Sequence, residues 1–201
     1  ILQKREDFMI MAKTLADNLF EDDSSKPFFK IAAEGAISGV LIRLKEDFPQ
    51  YCSFPYLVAI FLEKNIDELV AFLEANPNSR RQANTFLDSS GANDQMSGVK
   101  GSLSNAFRAF DLPNVFYTTM KNDFELEINN KKTPGLAVLV NSPNYDEVYQ
   151  PLLAVTAQAI ILQMSKRERE FAYLMFDEAP TLKSPSVPII IRLFPPSTRY
   201  F

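Results

Sequence analysis

Residues 27–47, PFFKIAAEGAISGVLIRLKED, decide the fold of most of this chain. Apolar side chains recur there at the three- and four-residue spacing of an amphipathic helix, so that Ile37, Val40 and Leu44 share one broad face. Pro27 stands at a position suited to the first helical turn. The stretch carries few basic residues, which favours a helix buried in a protein core over one that lies on a membrane surface.

The same periodicity continues on both sides of this helix. Residues 3–20 predict an N-terminal helix, and the polar residues that follow, EDDSSKP, predict a linker. Downstream, helix starts are marked by Pro55, by Asn65 or Asp67, and by Pro77. These later helices cover residues 54–62, 66–75, 77–89 and 95–110, with a short turn from Pro113. The sequence therefore predicts an all-helical domain over residues 28–120.

The pattern changes beyond the helical domain. Residues 124–128, FELEI, alternate as a half-buried strand does, and residues 136–140, LAVLV, are a continuous apolar run of strand length. A long helix is predicted over residues 145–164, and residues 171–176, FAYLMF, predict another fully buried strand. Strand, helix and strand with short connections predict a β-α-β unit of a parallel sheet. Residues 183–201 hold four of the 13 prolines and fit no element.

Two carboxylates follow the last predicted strand. Asp177 and Glu178 stand where a Walker B strand places acidic side chains beside the metal ion of a bound nucleotide. The alternative is an ordinary strand end at the rim of an α/β sheet. A Walker A loop, G-x-x-x-x-G-K-[ST], should accompany a Walker B strand, but none of the six glycines is followed by Lys-Ser or Lys-Thr.

The stretch closest to a phosphate-binding loop is GANDQMSGVKGS, residues 91–102. Its glycine spacing is wrong and it lies between predicted helices, so we interpret it as a helix junction. Phosphoryl transfer depends on positioning and on charge neutralisation, and a lone Asp-Glu pair supplies neither adequately. We therefore expect neither ATP hydrolysis nor a bound cofactor in this chain alone.

The composition excludes several kinds of site. The 201 residues include no histidine, which excludes Ser-His-Asp triads, Cys-His pairs and His-containing zinc sites within them. Cys52 is the one cysteine, so an internal disulfide is excluded, and we expect a buried, inert thiol. No apolar run approaches the ~20 residues that span a bilayer, so we expect a cytoplasmic protein without a membrane segment.

The charge balance bears on nucleic-acid binding. The chain has a net charge of −4, and residues 28–120 hold eight basic and ten acidic residues, a net charge of −2. DNA-binding domains usually present clustered basic charge. Arg80, Arg81 and Lys100 are the candidates for a local patch that contacts DNA or a partner. The alternative for these side chains is an ordinary solvated face.

Four segments follow one another in a recognisable order. They are PFFKIAAEGAISGVLIRLKEDFPQYCSFPYLVAIFLE, SSGANDQMSGVKGSLSNAFRAF, NDFELEINNKKTPGLAVLVNSPN and, after the long helix, LMFDEAPTL. Over roughly residues 3–182 this order resembles the type IV coupling proteins, the P-loop ATPases of plasmid conjugation and mobilisation. The ending D-E-A-P-T-L and the run P-F-F…A-A-E…C-x-x-P-x-L carry most of the resemblance.

The resemblance implies a RecA-like motor domain that is interrupted by an all-helical domain. Residues 28–120 would be the inserted domain, and residues 121–182 the return into the motor domain. In a full-length parent, Asp177 would hold Mg²⁺ through water and Glu178 would polarise the water that attacks ATP. The family's Walker A loop and membrane helices match no position in this chain.

The resemblance also implies partners. Members of the family form hexamers that deliver relaxase-bound single-stranded DNA to a type IV secretion channel at the cytoplasmic side of the inner membrane. We therefore expect relaxosome proteins or single-stranded DNA, together with channel proteins, as partners. For this chain alone we expect a monomer or a dimer.

Together these features predict a mainly α protein of the α+β class. Its expected parts are an N-terminal helix and linker (residues 1–27), the all-helical domain (28–120), a partial RecA-like α/β remnant with a parallel sheet (121–182) and an unassigned proline-rich tail (183–201). Two functions fit this organisation. One is a fragment of a coupling protein whose helical domain recognises cargo or DNA; the first residue, Ile1, predicts that more of the protein precedes it. The other is a stand-alone helical interaction module with a non-catalytic α/β remnant.

Overall fold

The computed structural model describes residues 5–20, 27–89, 93–121, 123, 125–165 and 170–175, and over these ranges the protein is predominantly α-helical. The mainly α class predicted from the sequence is confirmed. Nine α-helices lie in the described ranges, and short 3₁₀ turns occur at Pro49–Tyr51 and Pro143–Tyr145. In chain order the helices are α1 (Arg5–Leu19), α2 (Pro27–Asp47), α3 (Phe54–Glu63), α4 (Ile66–Glu74), α5 (Pro77–Gln82), α6 (Asn84–Asp88), α7 (Asn93–Arg108), α8 (Pro113–Thr119) and α9 (Asp146–Met164).

The chain divides into two compact units. Residues 1–18 and 124–201 make up one of them, called the outer unit below, and residues 19–123 make up the other, the helical unit. Along the chain, the outer unit is therefore interrupted by the helical unit between α1 and residue 124. The all-helical domain predicted over residues 28–120 falls inside the range of the helical unit.

Helix α2 is the centre of the helical unit because its small residues let other helices approach it closely. It packs most extensively against α5 and α6 and also contacts α3, α4 and α7. A β-carbon at Gly35 would lie 2.8 Å from the carbonyl oxygen of Gln82. A β-carbon at Gly39 would lie 2.9 Å from Leu73 Cδ2 and 3.0 Å from Ser79 O. Because a packed interior leaves no room for such an added carbon, these two positions of α2 require glycine.

Helix α4 begins at a capping box. The side chain of Asn65 accepts a hydrogen bond from the backbone N–H of Glu68 at 2.9 Å, and Glu68 Oε2 accepts one from the N–H of Asn65 at 2.9 Å. The two bonds satisfy backbone donors that have no partner within the helix. Of the two caps that the sequence left open, the structure uses Asn65 and not Asp67.

Asn76 joins the start of α5 to the end of α2. Its Oδ1 accepts hydrogen bonds from the backbone N–H groups of Asn78 and Ser79, at 2.9 and 3.0 Å. Its Nδ2 lies 3.2 Å from Glu46 Oε2, and 3.1 and 3.2 Å from the two carboxylate oxygens of Asp47. One buried side chain thus caps a helix and holds two carboxylates that lie about thirty positions earlier in the chain.

The single helix predicted over residues 77–89 is divided into α5 and α6. Ala83 lies between them with φ −84° and ψ 7°, outside the helical range, and its side chain is fully buried. Its β-carbon lies 3.0 Å from the position of a β-carbon on Gly39. The close approach to α2 therefore coincides with the interruption of the helix, which the local pattern of apolar residues does not encode.

Aromatic rings fill the contact between α3 and the end of α7. The fully buried rings of Phe61 and Phe107 stack with their centroids 4.8 Å apart and an interplanar angle of 16°. Phe110 meets Phe54 edge to face at 5.2 Å and lies 6.1 Å from Phe107. Aromatic pairs of these geometries stabilise a core by about 0.5–1.5 kcal/mol beyond their burial.

In the outer unit, buried side chains lie on both described helices. Helix α1 buries Phe8, Met11, Ala12, Leu15 and Ala16, and α9 buries its C-terminal half on most sides. The buried side chain of Asn129 donates hydrogen bonds to the carbonyl oxygens of Met164 at 3.2 Å and Glu170 at 2.9 Å. The N–H of Glu170 also donates to the carbonyl of Asn129 at 3.1 Å. Asn129 therefore joins the turn before residue 135 to the end of α9.

The strands predicted for the outer unit do not form in its described part. Residues 125–128, 136–140 and 171–175 have no strand structure, and an isolated bridge between Asn129 and Pro134 is the one β-pairing within the described ranges. Leu136 is 88% exposed and Tyr173 is 83% exposed, where fully buried strands were expected. A strand gains its hydrogen bonds only from neighbouring strands, and the described residues offer none to these segments. The parallel sheet therefore stays a prediction.

Candidate functional site

The two carboxylates of the predicted Walker B strand, Asp177 and Glu178, lie outside the described residues, as does the tail 183–201. The strand expected just before them, residues 171–175, is described and has no strand structure. Over the ranges that the structure covers, no group of three or more Cys, Asp or Glu side chains could hold a metal ion. Magnesium binding by Asp177 therefore stays a prediction for a full-length parent.

Arg80 and Arg81 lie in the last turn of α5, and both are exposed. Arg80 Nε is 4.0 Å from Glu74 Oε1, with 66% and 47% of the two side chains exposed. Exposed ion pairs of this kind stabilise a fold by about 0–1 kcal/mol, so Arg80 is held only weakly. Both side chains are accessible to a partner from this position.

Lys100 has a structural role. Its Nζ donates a hydrogen bond to the carbonyl oxygen of Phe61 at 2.9 Å and another to Ser104 Oγ at 2.7 Å, and Ser104 Oγ donates to the same carbonyl at 3.0 Å. Phe61 lies in the last turn of α3, where carbonyls have no partner within the helix and the helix dipole favours a cation. Lys100 on α7 thus caps α3, and two of its three donors are unavailable for a phosphate.

The position of Lys100 also affects its proton affinity. Partial burial lowers the pKa of its ammonium below the usual 10.5, because burial penalises the charged form. Of the three side chains in the predicted patch, Arg80 and Arg81 are thus exposed on α5, whereas Lys100 is partly buried on α7.

Other basic side chains of the helical unit pack against aromatic rings. The guanidinium carbon of Arg43 lies 4.8 Å from the centroid of Phe72 and 5.6 Å from that of Phe48. Lys64 Nζ lies 5.6 Å from the same Phe72 ring. Cation–π contacts of this kind are attractive by about 0.5–2 kcal/mol. These two cations therefore also make contacts within the fold.

Cys52 is half-buried beside the 3₁₀ turn. Burial raises the pKa of its thiol, although the charge of Lys45 acts in the opposite direction. A thiol with a raised pKa stays protonated at neutral pH and is a poor nucleophile. The geometry agrees with the inert thiol expected from the sequence, except that the side chain is half-buried where full burial was expected.

An apolar groove lies between α3 and α8 in the helical unit. Its volume is about 360 Å³, near the lower end of the range of ligand pockets, about 300–1,000 Å³. One wall is α3, and the other is the turn after α7 together with α8. The apolar side chains that line it are Phe54, Pro55, Val58, Ala59, Leu62, Phe110, Leu112, Pro113, Val115 and Phe116.

Among the described residues that line the groove, two are carboxylates and none is basic. Glu63 is the last residue of α3 and Asp111 lies just before α8, and both are exposed. The groove therefore combines an apolar floor with an acidic rim.

Large apolar side chains are exposed at the groove and beside it. Leu112 and Phe116 line it and are 38% and 48% exposed, and Tyr117 and Met120 continue the surface along α8 and its end. Aromatic and methionine side chains are enriched at protein–protein contacts, and contiguous exposed apolar patches mark interaction sites. We call Leu112, Phe116, Tyr117 and Met120 the α8 patch.

The sequence did not reveal this groove. The segment from Phe110 to Met120 contains Pro113, which marked only a short turn, and its apolar residues were not distinguished from core residues. The signal that was present is the density of aromatic residues in FDLPNVFYTTM, residues 110–120, with acidic Asp111 among them. Whether these rings are buried depends on α3, about fifty positions earlier in the chain, and a local pattern does not contain that information.

No protein-family model, no curated protein and no solved structure matches this chain. Among the described residues, no helix is both long enough and apolar enough to cross a membrane.

Proposed function

We propose that this chain is part of a coupling protein of conjugation or mobilisation, and that its helical unit recognises the cargo that the full-length parent delivers to a type IV secretion channel. The cargo would be a relaxosome protein or its single-stranded DNA. The remainder of the chain would be a partial RecA-like motor domain with a parallel sheet, in which Asp177 and Glu178 end a Walker B strand.

The order of the parts along the chain supports this proposal most. A helical unit over residues 19–123 interrupts the outer unit, and the acidic pair Asp177-Glu178 follows within the outer unit's range. A motor domain with an inserted recognition domain would have this order. The described site that suits a recognition role is the groove between α3 and α8, with the α8 patch beside it.

The chemistry would belong to the parent. When bound there, Mg-ATP would supply the phosphoryl group and the metal charge, Asp177 would orient the Mg²⁺ through water, and Glu178 would polarise the attacking water. This chain would neither bind nor hydrolyse ATP on its own, because it has no Walker A sequence. Titration calorimetry with Mg-ATP checks this, and a dissociation constant in the low micromolar range would contradict it.

The DNA sequence upstream of the codon for Ile1 tests the family assignment directly. A strand followed by G-x-x-x-x-G-K-[ST] in the same frame supports a coupling protein, and a frame without it refutes one. In the protein so encoded, Glu178→Gln should leave nucleotide binding intact and lower turnover by ~10²-fold or more. Asp177→Ala should weaken Mg²⁺ and nucleotide binding, while Glu125→Gln, an exposed acid elsewhere in the outer unit, should change neither.

A second candidate is a stand-alone helical interaction module with a non-catalytic remnant. The groove between α3 and α8 favours it, because that groove suits a protein contact without any motor. Thermal melts with and without Mg²⁺ separate a working metal site from a silent one in this chain. A rise of several degrees that Asp177→Ala or Glu178→Gln abolishes would contradict a silent remnant.

A further inference from the structure

We propose that the groove between α3 and α8 docks a peptide segment of a partner protein, and that this segment carries bulky apolar side chains flanked by Lys or Arg. The inference deepens the proposed function, on which it rests in one respect: the partner would be a protein of the cargo and not its DNA. The chemistry of the segment is derived from the groove alone.

The shape of the groove suits a short amphipathic segment. Two helices form its walls, and its volume of about 360 Å³ admits only a few side chains. An amphipathic helix that lays its apolar face into a hydrophobic groove between helices is a recurring mode of peptide recognition. The floor offers Val58, Leu62 and Val115 as contacts for such a face. The buried anchors of the segment are therefore expected to be Leu, Met or Phe.

The acidic rim determines which residues are expected on either side of the apolar anchors of the segment. Glu63 and Asp111 stand on different walls of the groove, and none of the described lining residues is a Lys or Arg that could neutralise them. Complementary charge guides association and fixes orientation at an interface. A cationic side chain beside each carboxylate would satisfy the rim, whereas an acidic segment would be repelled.

The same rim argues against nucleic acid in this groove. Binding to a phosphate backbone depends on Lys and Arg that neutralise phosphates. The only charged side chains among the described lining residues are carboxylates, and Lys64 and Lys100 are held by Phe72 and by the carbonyl of Phe61. Single-stranded DNA would therefore have to bind elsewhere on the protein, for which the exposed Arg80 and Arg81 remain accessible.

Phe116 is the expected anchor on this side of the contact. It lines the groove, is about half exposed, and meets Tyr117 edge to face with their centroids 5.6 Å apart. Binding energy at an interface concentrates in a few such residues near its centre. Removal of the Phe116 ring should therefore cost far more affinity than removal of an equally exposed ring outside the groove.

The experiment uses the full 201-residue chain and a phage library of random peptides. Peptides selected on the chain are expected to be enriched in Leu, Met or Phe at helical spacing together with Lys or Arg, and poor in Asp and Glu. The most enriched peptide is then synthesised with a fluorescein label, and its affinity for the chain and its variants is measured by fluorescence anisotropy.

Matched variants locate the contact. Phe116→Ser should weaken the labelled peptide by about 10-fold or more, whereas Tyr56→Ser, at 45% exposure on α3 but outside the groove, should change affinity by less than about 2-fold. Glu63→Lys and Asp111→Lys should each weaken binding by about 5- to 10-fold at low salt, and less at high salt. Asp88→Lys, an exposed acid at the end of α6, is the charge control. Circular dichroism establishes that each variant keeps its helix content.

Three results would overturn the proposal. The first is a library that yields no peptide above background or yields acidic peptides. The second is equal weakening by Phe116→Ser and Tyr56→Ser. The third is displacement of the labelled peptide by oligothymidylate, which would make the groove a nucleic-acid site. None of these results bears on the reading frame before Ile1, so failure of the docking site is distinguishable from failure of the family assignment.

Discussion

Helix α3 and the segment 136–140 are both strongly apolar, but only the helix is folded into a core. Within FPYLVAIFLE the side chains of Leu57, Val58, Ile60 and Phe61 are buried, whereas within LAVLV the side chain of Leu136 is almost fully exposed. A helix satisfies its backbone hydrogen bonds within its own residues and then packs one face. A strand satisfies them only against another strand, so an apolar composition alone does not give it a place in the fold.

The comparison shows which parts of the chain carry their own folding information. In the helical unit, capping residues and prolines act over a few residues and set helix starts, and contacts among α2, α3, α5 and α7 then bury the apolar faces. In the outer unit, α1 and α9 are likewise formed, whereas the segments 136–140 and 171–175, predicted as buried strands, expose most of their large apolar side chains. Four predictions follow, from the largest expected effect to the smallest: the first compares the two units, and the other three test local and long-range contacts within the helical unit.

The largest difference in stability is expected between removal of a buried ring in the helical unit and removal of an exposed ring in the outer unit. Phe107→Ala should lower the free energy of unfolding by about 3–5 kcal/mol, because it removes a fully buried ring that stacks on Phe61. Phe171→Ala, at a ring 65% exposed, should change it by no more than about 0.5 kcal/mol. Urea unfolding followed by circular dichroism measures both. A large loss from Phe171→Ala would mean that residues 171–175 do pack into a core.

The next prediction compares the stability lost when a helix cap with long-range hydrogen bonds is removed with that lost when a purely local cap is removed. Asn76→Ala should destabilise the protein by about 2–3 kcal/mol, because it removes a buried helix cap and the hydrogen bonds to the carboxylates of Glu46 and Asp47. Asn65→Ala removes only an exposed cap between near neighbours and should cost about 1 kcal/mol. The same urea titration compares them. Equal losses would show that the contact between α2 and α5 adds nothing to the local cap.

Replacing a glycine by alanine should destabilise the protein at one position and stabilise it at another. Gly39→Ala should destabilise by about 1–2 kcal/mol, since crowding against Leu73 and Ser79 outweighs the better helix propensity of alanine. Gly101→Ala on α7, where an added β-carbon meets nothing within 4 Å, should stabilise by about 0.5–1 kcal/mol. Thermal midpoints of the two variants check this. A higher thermal midpoint for both variants would refute the close approach of α2 to α5.

The smallest effect concerns Lys100 and pH. Burial lowers the pKa of its ammonium in the folded state, so between that pKa and the usual 10.5 the unfolded chain binds more protons than the folded one. Stability contributed by this group should therefore rise with pH in that window. The readout is the change in unfolding free energy as the pH is raised from neutral towards 10.5, compared between the natural chain and Lys100→Met. An identical pH dependence in both would contradict the shift.

The starts of α2, α4, α5 and α8 could be predicted from the sequence because each of them is encoded locally. Pro27, Asn65, Pro77 and Pro113 stand at or next to the first residue of their helices, and the apolar spacing that follows each is enough to identify the element. The break at Ala83 could not be predicted from the local pattern, because it coincides with a close approach to Gly39, which lies 44 positions earlier in the chain. Local patterns fix which residues are helical and not how closely two helices approach.

The candidate sites could be predicted to a smaller extent. Arg80 and Arg81 are exposed, as a contact patch requires, but the role of Lys100 depends on a carbonyl 39 positions earlier in the chain. The groove between α3 and α8 likewise depends on two segments that are distant in sequence. Asp177 and Glu178 lie outside the described residues, and their role stays a prediction.

The missing side chain at Gly39 has a consequence for how this sequence can vary. A β-carbon there would meet Leu73 on α4, Ser79 on α5 and Ala83 between α5 and α6, so three separate stretches of chain share the space that one glycine leaves empty. A larger residue at position 39 cannot be accommodated by one neighbour alone, because the carbonyl of Ser79 belongs to the backbone. In any relative of this protein, we therefore expect a larger residue at position 39 only together with a smaller residue at position 73 and a displaced α5. Positions 39, 73 and 83 should covary as a set of three, although they lie up to 44 residues apart in the sequence.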